Sequence, residues 1–85
     1  MKKYSYTIKD RMGIHIRPAG LFVKEVQKYE SKVTIFANGK TADASNLVMI
    51  MSLGVKKGET IEIEIEGSDE DAAYDRIVSF FENNL

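Results

Sequence analysis

The sequence predicts an α+β domain of two layers, a four-stranded sheet with one face under helices and the other wet. Three observations carry this reading. Four segments alternate apolar and polar residues with the period of a β-strand, three others repeat apolar residues at helical spacing, and turn-forming residues separate them. The order is β-α-β-β-α-β-α, in a single domain spanning residues 1–85.

Lys3 to Lys9 places Tyr4, Tyr6 and Ile8 on one face and Lys3, Ser5, Thr7 and Lys9 on the other, a half-buried strand. Asp10 to Ile14 is a loop. A first helix is expected from about Ile16 to Tyr29. Pro18 fits its first turn, where the missing N–H would have no intrahelical partner. Ala19, Phe22, Val23, Val26 and Tyr29 share the core face, and Arg17, Leu21, Lys24 and Lys28 form a basic stripe opposite.

Val33 to Ala37 alternates as a second strand. Asn38-Gly39 follows, and because a type I′ turn needs positive φ at both central residues, it predicts a hairpin into a short strand over Lys40–Asp43. Ser45 and Asn46 are both suitable N-caps for a short apolar helix over Leu47–Leu53, which Gly54 ends. Val48 and Met49 are expected in the core, and Leu47 and Met51, one turn apart, on an exposed face. Lys57-Gly58 is a turn. Ile61, Ile63 and Ile65 alternate with Glu62, Glu64 and Glu66 as the fourth strand, which should neighbour the first so that lysines and glutamates pair across the wet face. Ser68 with Asp71 resembles a capping box for a last helix to about Asn83, with Ala73, Ile77, Phe80 and Phe81 on its apolar side.

Composition narrows the function classes. At 85 residues and 44% hydrophobic content the core is thin. There is no cysteine, so no disulfide or thiolate metal site, and with one histidine neither a metal nor a cofactor is expected. No stretch approaches the ~20 apolar residues of a membrane span and no signal-peptide pattern opens the chain, which predicts a cytoplasmic protein without membrane insertion. A net charge of −1 argues against nucleic-acid binding. That charge is uneven: residues 1–40 carry nine Lys/Arg against three Asp/Glu, residues 41–85 three against ten. The strands account for part of this by mutual pairing, and the first helix offers its stripe to an acidic partner.

Gly13-Ile14-His15-Ile16-Arg17-Pro18-Ala19 holds the only histidine and the only proline. A lone histidine is usually a cap or a solvated side chain. Here it directly precedes a helix, whose first N–H groups and positive dipole end suit an anion, and Arg17 adds a cation with a fork that matches phosphate oxygens. A neutral imidazole can attack phosphorus, and a helix N-terminus disfavours the imidazolium. No second acid, base or metal cluster accompanies it. The residues therefore describe a phosphoryl carrier rather than an enzyme. The docking surface expected around it consists of Ile16, Leu21, Lys24, Lys28, Leu47 and Met51.

Gly13-Ile14-His15-x-Arg17-Pro18-Ala19, Asn38-Gly39-Lys40 and Met51-Ser52-Leu53-Gly54 together resemble the HPr family, the histidine-containing phosphocarriers of the phosphoenolpyruvate-dependent sugar phosphotransferase system. The resemblance covers essentially the whole chain. It implies an open-faced β-sandwich with four antiparallel strands and three helices. It also implies that His15 accepts phosphate from enzyme I at Nδ1 and passes it to EIIA domains of sugar permeases, with Arg17 assisting, in a monomer that also meets catabolite-regulation proteins.

Four departures stand out. Ile16 replaces a usual Ala or Thr, Met12 a small polar residue, and Gly20 interrupts a helix, as where a partner approaches closely. Asn46 occupies the position of the regulatory serine found in many Gram-positive members; Ser45 lies one residue early, so serine-kinase regulation is expected to be absent. The competing reading is an HPr-like regulatory module that docks on a transcription factor or enzyme without phosphotransfer. Such relatives typically lack the histidine.

Overall fold

The computed structural model describes residues 1–85. The strands are β1 (Lys2–Thr7), β2 (Lys32–Ala37), β3 (Lys40–Asp43) and β4 (Thr60–Glu66), and the helices α1 (Ile16–Val26), α2 (Leu47–Ser52) and α3 (Glu70–Asn84). They form one antiparallel sheet in the order β1-β4-β2-β3, with the three helices over one face. The open-faced α+β architecture is the expected one.

β4 lies in the middle because its isoleucines need cover on both sides. Ile61, Ile63 and Ile65 are fully buried, flanked by Tyr4 and Tyr6 of β1 and by Val33 and Ile35 of β2. The wet face carries the complementary row: Lys3 sits opposite Glu64 at 3.9 Å, Lys32 opposite Glu66, and the hydroxyls of Thr7 and Thr60 lie 2.9 Å apart. The expected neighbourhood of first and last strand is therefore present, although only one cross-strand ion pair forms between them. Asn38 and Gly39 turn the β2–β3 hairpin at φ 53° and 73°, the backbone that the dipeptide predicts.

The helices close the core with aromatic contacts. Phe22 of α1 stacks edge-on to Phe81 of α3 at 5.0 Å and tilts against Phe80 at 5.5 Å; Phe81 reaches Tyr6 at 5.5 Å. Edge-to-face pairs at these distances add to the area they bury.

Three expectations need correction. α1 ends at Val26, so Lys28 and Tyr29 lie in the following turn; Tyr29 still packs on the core, and its hydroxyl reaches Glu25 Oε2 at 3.3 Å. Val48 and Met49 are exposed, Val48 at 77%, whereas Ile50 is the buried residue of α2. One turn and a half of helix lying on the sheet can bury only a narrow stripe, and Ile50 takes it while Leu47 is half-buried beside it.

The third correction concerns α3. Ser68 is not its cap: Asp69 is, and it makes no capping bond to its own helix. Its carboxylate instead crosses to the α1–β2 turn, accepting from the N–H groups of Glu30 at 2.9 Å and Ser31 at 3.0 Å and from the Ser31 hydroxyl. Glu70 takes the local role, accepting from Gly67 N–H at 3.1 Å, and Ser68 donates to Glu30. Three donors are satisfied by a residue 38 or 39 positions away, which no local pattern announces.

The Ser31 hydroxyl, followed by the Glu30 N–H, holds the Asp69 carboxyl below the ordinary carboxylate range. A depressed folded-state value means stability that is present above the unfolded range, near pH 4, and lost as pH falls through the folded value. Asp69→Asn should lower the urea midpoint at pH 7 and shrink its decline between pH 5 and pH 2; an equal decline in both proteins would refute the pin.

Gly20 sits inside α1 with nothing within 4 Å of where a Cβ would stand. Its cost to the helix is uncompensated by packing, so Gly20→Ala should raise stability by about 0.5–1 kcal/mol at unchanged m-value in urea titration.

Candidate functional site

The site is the loop from Ile8 to His15 and the first turn of α1. Gly13 has φ 68°, and a Cβ there would collide with the Val55 carbonyl and the Lys56 backbone. The loop is held down from both sides. Gly13 N–H donates to Asp10 O at 2.9 Å, Ile14 N–H to Val55 O at 3.1 Å, and Ile14 is buried. Only glycine permits this close approach, and it brings the chain to His15 at a fixed height above the sheet edge.

His15 is the N-cap of α1, in extended conformation, and its carbonyl accepts the Ala19 N–H at 3.0 Å. Its side chain makes no capping bond and stays 28% exposed. The next residues start the helix: Ile16, Arg17, then Pro18, which is buried and has no N–H to leave unpaired. The N–H groups of Ile16 and Arg17 donate to no acceptor in the protein. No acidic residue lies in this first turn, so no side chain of the helix itself offsets the positive end of its dipole. Arg17 is exposed and its guanidinium is in no ion pair or side-chain hydrogen bond. The first turn of α1 and its N-cap thus carry one imidazole, two N–H groups without a partner and one exposed, unpaired arginine. Together they can receive an oxyanion.

The carboxylate beside the imidazole is Asp10, whose Oδ2 lies 3.6 Å from Nε2. Asp10 was not singled out by the sequence. The loop position of an Asp two residues before Met12 announces an Asx turn, and Met12 N–H does donate to Oδ1 at 2.8 Å, but a turn residue gives no sign of which side chain its second oxygen faces.

The surroundings are apolar and exposed. Met12 is 70% exposed and Ile16 66%, so the branched side chain at 16 points outward and displaces nothing in the core. Leu21 and Lys24 are also exposed on α1. α2, which touches α1, adds Val48, Met49 and Met51. Of the other residues expected on the surface, Leu47 is half-buried against the core while Val48 beside it is exposed, and Lys28 is exposed in the turn beyond the helix, its ammonium 3.3 Å from Glu25.

Asn46 is the N-cap of α2 and accepts the Met49 N–H at 3.1 Å. Ser45 stands outside the helix. Its hydroxyl donates to Asp43 Oδ1 at 2.6 Å and its N–H to the same oxygen at 2.9 Å, and these two bonds hold the Asp43 carboxyl below its ordinary range.

No group of metal-ligating side chains is present, and no helix is long and apolar enough to cross a membrane. Residues 2–83 match the family model described as the PTS HPr component phosphorylation site. The chain is 38% identical over 77 residues to the phosphocarrier protein HPr of Mycoplasma capricolum subsp. capricolum, covering 91% of this chain and 86% of that one. Its fold superposes on the solved histidine-containing phosphocarrier protein of Mycoplasma with a TM-score of 0.93 at 34% identity, covering 96% and 93% of the two chains. A more distant likeness, at 27% identity and a TM-score of 0.77 over 100% and 98% of the chains, is to the Bacillus subtilis catabolite-repression protein Crh, solved as a swapped dimer. The chain belongs to the HPr family of phosphocarrier proteins of the phosphotransferase system.

Proposed function

We propose that this protein is a one-domain, monomeric cytoplasmic carrier in which His15 takes a phosphoryl group from phospho-enzyme I and delivers it to EIIA domains of sugar permeases. One observation supports the assignment: the only imidazole of the chain stands at the N-cap of a helix whose first N–H groups have no partner, with the unpaired, exposed Arg17 in its first turn.

The chemistry follows. The ring nitrogen attacks phosphorus as the donor's bond to it breaks, and charge spreads over the equatorial oxygens. The N–H groups of Ile16 and Arg17 and the Arg17 guanidinium offer hydrogen bonds to those oxygens, stronger as their charge grows. Pro18 fixes the entry into the helix and so the direction of the N–H groups. The chain supplies no general acid or base for turnover, which makes the protein a substrate of the two enzymes it meets rather than an enzyme.

Met12, Ile16, Leu21 and Lys24, with Val48, Met49 and Met51, form the surface that donor and acceptor share. Three adjustable methionines suit a surface that must fit more than one partner. A docking-only role would leave the free N–H groups and Arg17 without an occupant.

Mixing the protein with enzyme I and phosphoenolpyruvate should give an acid-labile, base-stable adduct that gains the mass of one phosphoryl group and disappears in His15→Ala. Absence of any adduct in a system that phosphorylates another HPr would sink the assignment. Arg17→Ala should slow transfer about tenfold or more while leaving the urea midpoint unchanged; an unchanged rate removes Arg17 from the reaction.

Serine-kinase regulation is absent on this reading, because a phosphate on Ser45 would stand against the Asp43 carboxylate and remove the hydroxyl's bond to it. Incubation with an HPr kinase and ATP should leave Ser45 unmodified, checked by mass spectrometry of the peptide over residues 41–56; stoichiometric phosphoserine there would reverse the conclusion.

A further inference from the structure

Asp10 is fixed more firmly than a surface loop residue needs to be. Its N–H donates to the Leu85 carbonyl at 2.8 Å, its carbonyl accepts from Gly13 at 2.9 Å, and its Oδ1 accepts from Met12 at 2.8 Å. Three bonds leave one free oxygen, Oδ2, and that oxygen faces Nε2 of His15 at 3.6 Å, with both side chains less than a third exposed. The separation suits an ion pair rather than a hydrogen bond in the uncharged ring, and contacts of this kind tighten when charge develops.

From this geometry we propose that Asp10 is a positioning residue for phosphoryl transfer, holding the proton of His15 on Nε2 and thereby presenting Nδ1 as the nucleophile; the inference rests on the phosphocarrier reading. A neutral imidazole has one N–H and one lone pair, and the group facing one nitrogen selects which is which. With the proton on Nε2, an N–H dipole points at the carboxylate. With the proton on Nδ1, a lone pair would point at it, and the two repel.

The reaction then needs no proton movement. The Nδ1 lone pair forms the new N–P bond while the donor's bond to phosphorus breaks and its electron pair leaves with the donor atom. Nε2 keeps its hydrogen, and the ring gains one positive charge shared by both nitrogens, facing Oδ2. Asp10 is thus fixed in advance beside a charge that exists only after transfer has begun. In the reverse sense the same charge makes the ring a good leaving group, so the carrier can give up what it accepts.

Asp10→Asn separates this role from loop folding. The amide oxygen can replace Oδ1 and keep the bond from Met12 N–H, which puts the NH₂ group where Oδ2 stood, facing Nε2. A donor there draws the lone pair to Nε2 and the proton to Nδ1. The analogous change in a hydrolase triad keeps geometry and loses rate through the wrong tautomer.

The test uses the full chain. Nitrogen-15 spectra of His15, recorded in solution alkaline enough to keep the ring neutral, should show the proton on Nε2 in the wild type and a shift of population to Nδ1 in Asp10→Asn. Phosphorylation by enzyme I and phosphoenolpyruvate should be at least about tenfold slower in the variant. A wild-type ring carrying its proton on Nδ1 overturns the role of Asp10 without recourse to any variant. So does an Asp10→Asn protein that keeps the wild-type tautomer or the wild-type rate, provided the wild type itself is phosphorylated. A wild type that accepts no phosphoryl group instead defeats the carrier reading on which this one rests.

Discussion

The pairing of β1 with β4 is the constraint on which the functional end of the molecule depends. The ladder does not stop at Thr7 and Thr60. Beyond them Ile8 N–H donates to Glu59 O at 3.0 Å, Gly58 N–H to Ile8 O at 2.8 Å, and Ile14 N–H to Val55 O at 3.1 Å. The segment leading to His15 therefore runs along the segment leading into β4, although about forty residues separate them in sequence. A slip of one residue would turn Ile61, Ile63 and Ile65 out to water and shift the loop with them. Since all three are fully buried, the register is fixed by the core, and the height of His15 above the sheet is fixed by the register.

What the sequence reveals and conceals follows the range of the interactions involved. The strict alternation of β4, the Asn38-Gly39 turn and the first turn of α1 with its Pro18 are local: a side-chain period, two positive φ angles and a missing N–H are written in neighbouring residues. His15 and Arg17, on which the proposed function rests, are likewise read from one short stretch of sequence. The start of α3 is not written locally, because Asp69 turns its carboxylate to Glu30 and Ser31 rather than to its own helix. The burial of α2 was misjudged because six residues of nearly uniform hydrophobicity have no amphipathic signature; which side faces the sheet is decided by where Asn46 caps the helix and how it meets α1. Asp10 escaped notice for a further reason. Its backbone and one oxygen satisfy the turn, and only three-dimensional placement brings the other oxygen to the imidazole.

These long-range terms share a consequence for the stability of so small a chain. Asp69 ties the α1–β2 turn to the head of α3, and Leu85, buried at the end of α3, accepts the N–H groups of Lys9 at 2.7 Å and Asp10 at 2.8 Å. Helix α3 is thus fastened at both ends to loops of other elements, one of them the loop that leads to His15. Its Phe81 meanwhile holds Phe22 of α1 and Tyr6 of β1. The site loop is therefore braced by backbone hydrogen bonds and by the core at once, and a loop so held presents its side chains with little entropy left to lose on docking.

That bracing also explains how the protein tolerates the apolar surface around His15. Met12, Ile16 and Val48 would be better buried if folding alone mattered, and each is at least two-thirds exposed or close to it. They cannot turn inward: Ile14, Pro18 and Ala19 already fill the underside of the loop and first turn, and Ile50 fills the underside of α2. A carrier that meets a donor and an acceptor in turn must bind each through the same small area and leave again. Apolar contacts, without fixed partners for every atom, permit two different fits on one surface, whereas a set of buried ion pairs would commit it to one. Two charged groups near this surface enter the proposed transfer: on that reading Arg17 serves the oxygens of the phosphoryl group and Asp10, with its Oδ2 3.6 Å from Nε2, the ring that holds it.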